Sequence, residues 1–220
     1  HKDPTLEGYR RLYYCRHAGS FFIGFAGIGR DAREIEMMCY DFIKIQTFKV
    51  DPNVQLIRSD KGTLFLGTLI YTVIEQLGER RHRFLRLTCP IQHVLRRLKG
   101  AGYVDGQWKP TPHMRGYSQE KDLMIVKYNN VYFGIMEYYS FADNYRHTVK
   151  SIFWVLRSSC AKVFAAKYKL RSQKKVFVKF GSDLGGRGSL YMPSPKEVIA
   201  MMDRQPRYRP GPTPFPRIPG

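Results

Sequence analysis

One stretch of the chain fixes its largest element. Tyr145, Val149, Ile152, Leu156, Cys160 and Val163 follow at steps of 4, 3, 4, 4 and 3 residues. Such steps keep side chains on one side of a helix of 3.6 residues per turn, which predicts a long helix over about 142–170. The charge of this region is one-sided. From 144 to 182 there is no Asp or Glu, while Arg146, Lys150, Arg157, Lys162, Lys167, Lys169, Arg171, Lys174, Lys175 and Lys179 all fall inside it. Arg146, Lys150 and Arg157 project within about 40° of one another, beside the apolar stripe. One face can pack while its neighbour meets anions. A solvated amphipathic helix ordinarily carries acids that pair with its cations at i,i+4. Their absence favours phosphate contact over a merely solvated face.

The rest of the chain agrees. It has 220 residues, enough for one large domain or two small ones with a real core. Basic residues number 37 against 18 acidic ones, a net charge of +19, yet 43% of the chain is hydrophobic and 14% aromatic. This is a folded protein with an excess charge that an anionic partner must neutralise, nucleic acid before membrane. Cys15, Cys39, Cys89 and Cys160 form no CxxC pair, and the histidines lack metal spacing. The cysteines read as reduced, mostly buried thiols, and neither a metal site nor a cofactor is expected. No apolar run approaches the ~20 residues that span a bilayer.

Along the chain, residues 12–16 and 20–26 read as a hairpin about Ala18-Gly19. A helix opens at Arg30 or Asp31, with Ile35, Met38, Cys39 and Phe42 inward and Ile43 and Ile45 widening that face. Residues 54–57 and 63–71 read as strands joined by the turn at 59–62. The basic run 79–83 reads as a linker or solvated helix face. Thr88 is placed to cap a helix carrying Pro90 in its first turn and Ile91, Val94, Leu95 and Leu98 inside, ended by Gly100 and Gly102. Ser118 is placed to cap a helix through Tyr128, and a further segment begins near Val131. Residues 175–180 alternate like a short strand. The tail from Pro206 is too rich in proline for a helix or sheet interior.

Other candidates are weaker. The loop FGSDLGGRGS at 180–189 lacks the GxxxxGK[ST] order of a phosphate cradle and reads as a flexible loop. Glu120 and Asp122 sit at a helix start, where acids complement the macrodipole. His93 and His147 belong to no catalytic constellation. Tyr138 and Tyr139, just before the basic helix, are candidate stackers on unpaired bases.

The region from 129 to 181 resembles the maturase domain, domain X, of group II intron-encoded proteins. The resemblance rests on Tyr128-Asn129, Tyr138-Tyr139, Ala142-Asp143-Asn144, Ser159-Cys160, Ala166-Lys167 and the closing Lys179-Phe180-Gly181, in order. The upstream TCPIQHVLRRLKGAGYVDG resembles the helix that opens the same domain. Residues 12–71 resemble the end of a reverse-transcriptase palm. Tyr14, Arg16, His17, Ala18, Gly19, Ser20, Ile23 and Gly24 lie where the family has a Tyr-x-Arg-Tyr-Ala-Asp-Asp-x-x-Ile-Gly-like hairpin, and Phe65-Leu66-Gly67 fits the hairpin that closes the palm. The implied fold is α+β: a partial palm, a short antiparallel sheet with a helix, followed by a mostly α-helical thumb and maturase domain. The implied domains are a palm remnant at 1–78, a helical RNA-binding domain at 79–190 and a Pro/Arg-rich tail at 191–220.

The departures bear on function. Family polymerases hold two magnesium ions on carboxylates. Here the motif reads His17, Ala18, Gly19, Ser20; Gly19 has no ligand atom and Ser20 only a neutral hydroxyl. The fingers and first half of the palm are not in this sequence, nor is the zinc-bearing endonuclease of some relatives. No catalytic residue and no reverse-transcriptase activity are therefore expected. The expected role is a structural subunit of a large organellar ribonucleoprotein, foremost a mitochondrial ribosome, binding ribosomal RNA among protein neighbours. The alternative is a maturase that stabilises folded group II intron RNA for splicing. The mitochondrial matrix is expected before the chloroplast. The expected RNA-binding residues are Tyr138, Tyr139, Arg146, Lys150, Arg157, Lys162, Lys167, Lys169, Arg171, Lys174 and Lys175.

Overall fold

The computed structural model describes residues 10–47, 53–77, 80–186, 188 and 190–203. They fall into two compact units that divide between Arg86 and Leu87.

The first unit begins with a hairpin dense in aromatic and β-branched residues. Strand β1 (Arg11–His17) pairs antiparallel with β2 (Ser20–Ala26), in register from Arg11↔Ala26 to His17↔Ser20. Ala18 takes φ 50° at the turn, and the Arg16 guanidinium donates to its carbonyl at 2.9 Å. Helix α1 (Gly29–Thr47) follows, with Asp31 in its first turn. Its expected inward face is only half realised. Ile35, Cys39 and Ile43 are partly covered, whereas Met38, Phe42 and Ile45 are 60%, 63% and 65% exposed.

A second small sheet has the order β3 (Thr63–Phe65), β4 (Thr68–Leu77), β5 (Arg80–Thr88). Residues 54–57 are not a strand. The 59–62 turn is present, closed by Lys61 N–H on Arg58 O at 3.0 Å, but it joins no two strands. Instead the expected strand at 63–71 breaks at Leu66 and Gly67, both at positive φ. A two-residue type I′ hairpin loop, whose twist matches that of the strands, needs that conformation at both positions. Residues 80–83 of the basic run belong to β5 rather than to a linker or helix. Arg86, on that strand, meets Glu75 at 2.5 Å.

In the second unit β5 gives way to α2 (Ile91–Gly100), which buries Val94 and Leu98. Pro90, not Thr88, stands at its N-cap. Gly102, at φ 86°, lets the chain reverse so that the Tyr103 N–H reaches Leu98 O at 2.9 Å. A loop closed by a Val104–Pro110 bridge leads to α3 (Lys121–Tyr138). This is one helix where two segments are expected. Met124, Ile125, Tyr128, Tyr132 and Met136 bury along it and carry the pattern through Val131.

The long helix is α4 (Tyr145–Lys167), inside the expected limits and burying the whole stripe from Tyr145 to Val163. Residues 175–180 are not a strand. They lie in α5 (Gln173–Phe180), because the Ser172 hydroxyl accepts from the Lys175 N–H at 3.3 Å and Val176 buries. The loop after it is packed: Leu184 is fully buried, and a side chain at Gly185 would come within 2.8 Å of Tyr191 Cβ. Residues 191–203, placed with the tail in the sequence reading, hold α6 (Pro195–Asp203) with Met192 and Val198 buried. The tail from Pro206 lies outside the described residues.

Every buried apolar side chain among the described residues lies at Cys89 or later. The core therefore belongs to the second unit, around α3 and α4. Within it Ser159 donates to Thr111 O and accepts from the Tyr128 hydroxyl at 2.9 Å. Of the cysteines, Cys89 and Cys160 are buried, Cys39 is partly covered and Cys15 is exposed; all are free thiols. No described helix is long and apolar enough to cross a membrane.

Candidate nucleic-acid interface

The acid-free cations sort by what α4 and α5 do with them. Arg146 and Lys150 stand exposed on the first turns of α4. Arg146 approaches Asp203 at 3.9 Å, and Lys150 makes no ion pair with a described residue. Arg157, partly covered, lies 5.2 Å from the Phe153 ring centroid and 5.0 Å from that of Phe177 on α5. It also donates to Ser182 O at 3.4 Å. Two aromatic neighbours fix the guanidinium in place, at little cost to its charge.

A second cluster lies where α4 ends. Lys169 and Arg171 take φ 54° and 63°, so the connection to α5 is a tight left-handed reversal built on basic residues. Lys174 and Lys175 follow in the first turn of α5. All four are exposed and pair with no described carboxylate. Cations at a helix N-terminus are disfavoured by the macrodipole, so this cluster is electrostatically poised for an anion.

Two of the expected cations are turned inward. Lys162 donates to Pro110 O at 2.6 Å. Lys167 donates to Tyr117 O and to Gln119 O. Both hold the 103–120 segment against α4, because that segment has carbonyls without strand or helix partners. Tyr139 is 3% exposed and its hydroxyl is pushed up to about 12 by burial; it packs edge-on against Tyr138 at 4.8 Å and offers no face to a base. Tyr138 is half exposed at the end of α3.

The structure adds one residue that the sequence reading passed over. Trp154 is 54% exposed and lies one turn beyond Lys150, two beyond Arg146. The i, i+4, i+8 spacing was visible, but an aromatic residue inside the continuous apolar run 152–156 reads as core. At the turn of β1 and β2, His17, Ala18, Gly19 and Ser20 bring no carboxylates together. Among the described residues no group of three His, Cys, Asp or Glu is placed to hold a metal.

Residues 82–208 match the family model of the type II intron maturase. The chain is 29% identical over 196 residues to the putative COX1/OXI3 intron 2 protein of Saccharomyces cerevisiae, covering 81% of this chain and 23% of that protein. It is 31% identical over 140 residues to the uncharacterized mitochondrial protein ymf11 of Marchantia polymorpha, covering 58% and 19%. To the mitochondrial nuclear intron maturase 2 of Arabidopsis thaliana it is 27% identical over 187 residues, covering 76% and 25%. The chain thus spans about a quarter of the length of these curated relatives.

Proposed function

Because the chain belongs to the type II intron maturase family, we propose that it binds a folded group II intron RNA and stabilises it for splicing. The observation that carries this reading is the set of exposed cations, Lys150 early on α4 and the cluster Lys169, Arg171, Lys174 and Lys175 at its end, free of described carboxylate partners. Each cation that neutralises a phosphate releases condensed counterions, which drives binding. A protein that binds the folded RNA and not its unfolded forms shifts that RNA's folding equilibrium by mass action. The RNA supplies the splicing chemistry, while Trp154 and Tyr138 offer faces to unpaired bases. The ribosomal role expected from the sequence finds no support among the relatives, whose names are those of intron proteins and maturases, and the splicing role takes its place. A mitochondrial location fits the relatives named mitochondrial.

The first unit reads as a palm remnant serving as scaffold. In its support, the similarity to the yeast intron protein covers more of the chain than the matched family segment and all that follows it, so it reaches into this unit. The hairpin turn lacks ligands, not room: a Cβ at Gly19 would meet nothing within 4 Å. With Gly19 and Ser20 in place of carboxylates, the expected result is no primer extension by this chain with magnesium or manganese; measurable extension overturns the assignment. The RNA partner is tested by crosslinking the native protein and sequencing the bound RNA. Mostly group II intron sequence is expected, and mostly ribosomal RNA would restore the ribosomal role.

A further inference from the structure

A cavity of about 640 Å³ opens beside the basic face of α4, lined by α4, the loop after α5 and the start of α6. That volume is within the ~300–1,000 Å³ of pockets that take small organic groups. We propose that this cavity receives one unpaired nucleotide of the bound RNA, the base against its apolar wall and the flanking phosphate at its basic rim. The inference rests on the RNA-binding reading above.

The lining has the chemistry such a guest needs. Phe153 and fully buried Met192 supply an apolar wall, and Tyr191, more than a third exposed, supplies a ring at the opening. Lys150 and Lys196 bring ammonium groups, neither paired with a described carboxylate, and Arg157 brings a guanidinium already steadied by two rings. Glu197 brings a carboxylate locked in place. Its Oε1 accepts from the Tyr191 hydroxyl at 3.1 Å and its Oε2 from the Ser194 N–H at 2.7 Å. The Ser194 hydroxyl in turn accepts from the Glu197 N–H at 3.4 Å. This reciprocal capping of α6 keeps the carboxylate from collapsing onto the lysines. A carboxylate keeps further lone pairs beyond those two bonds, available to the N–H groups of a base edge. Cations, an aromatic ring and two held carboxylates, Glu197 and Asp183, the latter accepting from the Gly185 N–H at 3.0 Å, stand around one hollow and suit a splayed-out base better than a duplex backbone, which has no group to enter it.

The test titrates the full chain with a blunt RNA duplex and with an unstructured single strand of equal phosphate number. Lys196→Glu reverses one rim charge at an exposed helix start, where an acid is tolerated. Ser182→Trp fills the mouth. Each variant is expected to weaken single-strand binding about tenfold while duplex binding changes less than about twofold. Photocrosslinks from the single strand are expected at Tyr191 or Phe153 and lost in Ser182→Trp. Equal losses on both RNAs, or none on either, overturn the pocket and leave RNA binding standing. So does an acidic peptide that binds the wild type and not Lys196→Glu while single-strand affinity is unchanged. Failure of the wild type to bind either RNA overturns the underlying reading. If Ser182→Trp lowers the thermal midpoint, Lys196→Glu decides.

Discussion

Replacing Lys150, Arg171 and Lys174 together with glutamine will flatten the salt dependence of RNA binding. Each lost phosphate contact removes about 0.7 from the log–log slope on single strands and about 0.9 on duplexes, so the triple variant loses roughly 2 to 3. Near physiological salt the same loss amounts to a roughly 10- to 100-fold weaker complex. The three residues are exposed and pair with no described carboxylate, so their removal costs the fold little. The control is Lys162→Met. Its ammonium is engaged by Pro110 O at 2.6 Å, so this change is expected to leave the slope intact and to lower stability by about 1 kcal/mol, the net value of one such bond. Filter binding or fluorescence anisotropy across a salt series reads the slope, and thermal unfolding reads the control. An unchanged slope in the triple variant means that this face meets protein, not RNA.

The contrast between Lys162 and Lys174 marks the limit of reading charge from sequence. Both lie in the same acid-free stretch. One helix position points its side chain at a loop carbonyl and the other at solvent, and only tertiary packing tells them apart. The α4 stripe was legible because six apolar side chains keep one phase over five turns. Helix α5 was not, because Lys-Val-Phe-Val-Lys-Phe alternates as a strand does, while its cap at Ser172 lies just outside the pattern. Helix α6 was missed although Ser194-Pro195-Lys196-Glu197 is a capping box with proline in the first turn; the proline-rich sequence beyond it drew the boundary too early. In α1 periodicity correctly placed the helix but not its burial, since Phe42 and Ile45 have the right spacing and no covering layer among the described residues of their unit.

Asn144 is the position where a family motif and the physical reason for it meet, and Asn144→Ala is expected to unfold the second unit far more readily than any surface change. The residue stands at the N-cap of α4 yet makes no side-chain cap. Its carboxamide is committed elsewhere: Oδ1 accepts from the Cys89 N–H at 2.8 Å and Nδ2 donates to the Cys89 carbonyl at 2.9 Å. Next to it the Asp143 N–H donates to Leu87 O at 2.8 Å, and its Oδ2 accepts from the Leu87 N–H at 2.9 Å. Together the pair satisfies the backbone N–H and C=O groups of Leu87 and Cys89. Cys89 is 3% exposed, so alanine leaves a buried donor and a buried acceptor unmatched, each costing about 1–3 kcal/mol. A total of about 2–4 kcal/mol, and a thermal midpoint lower by roughly 10 °C, is expected. Asn144→Asp is expected to be no better, because a carboxylate keeps the bond to the Cys89 N–H but faces the Cys89 carbonyl without a donor. At temperatures where the variant remains folded, RNA affinity should stay within about twofold of the wild type, since the carboxamide is turned into the fold. A loss of RNA affinity with unchanged stability would reverse that assignment and place Asn144 in the interface.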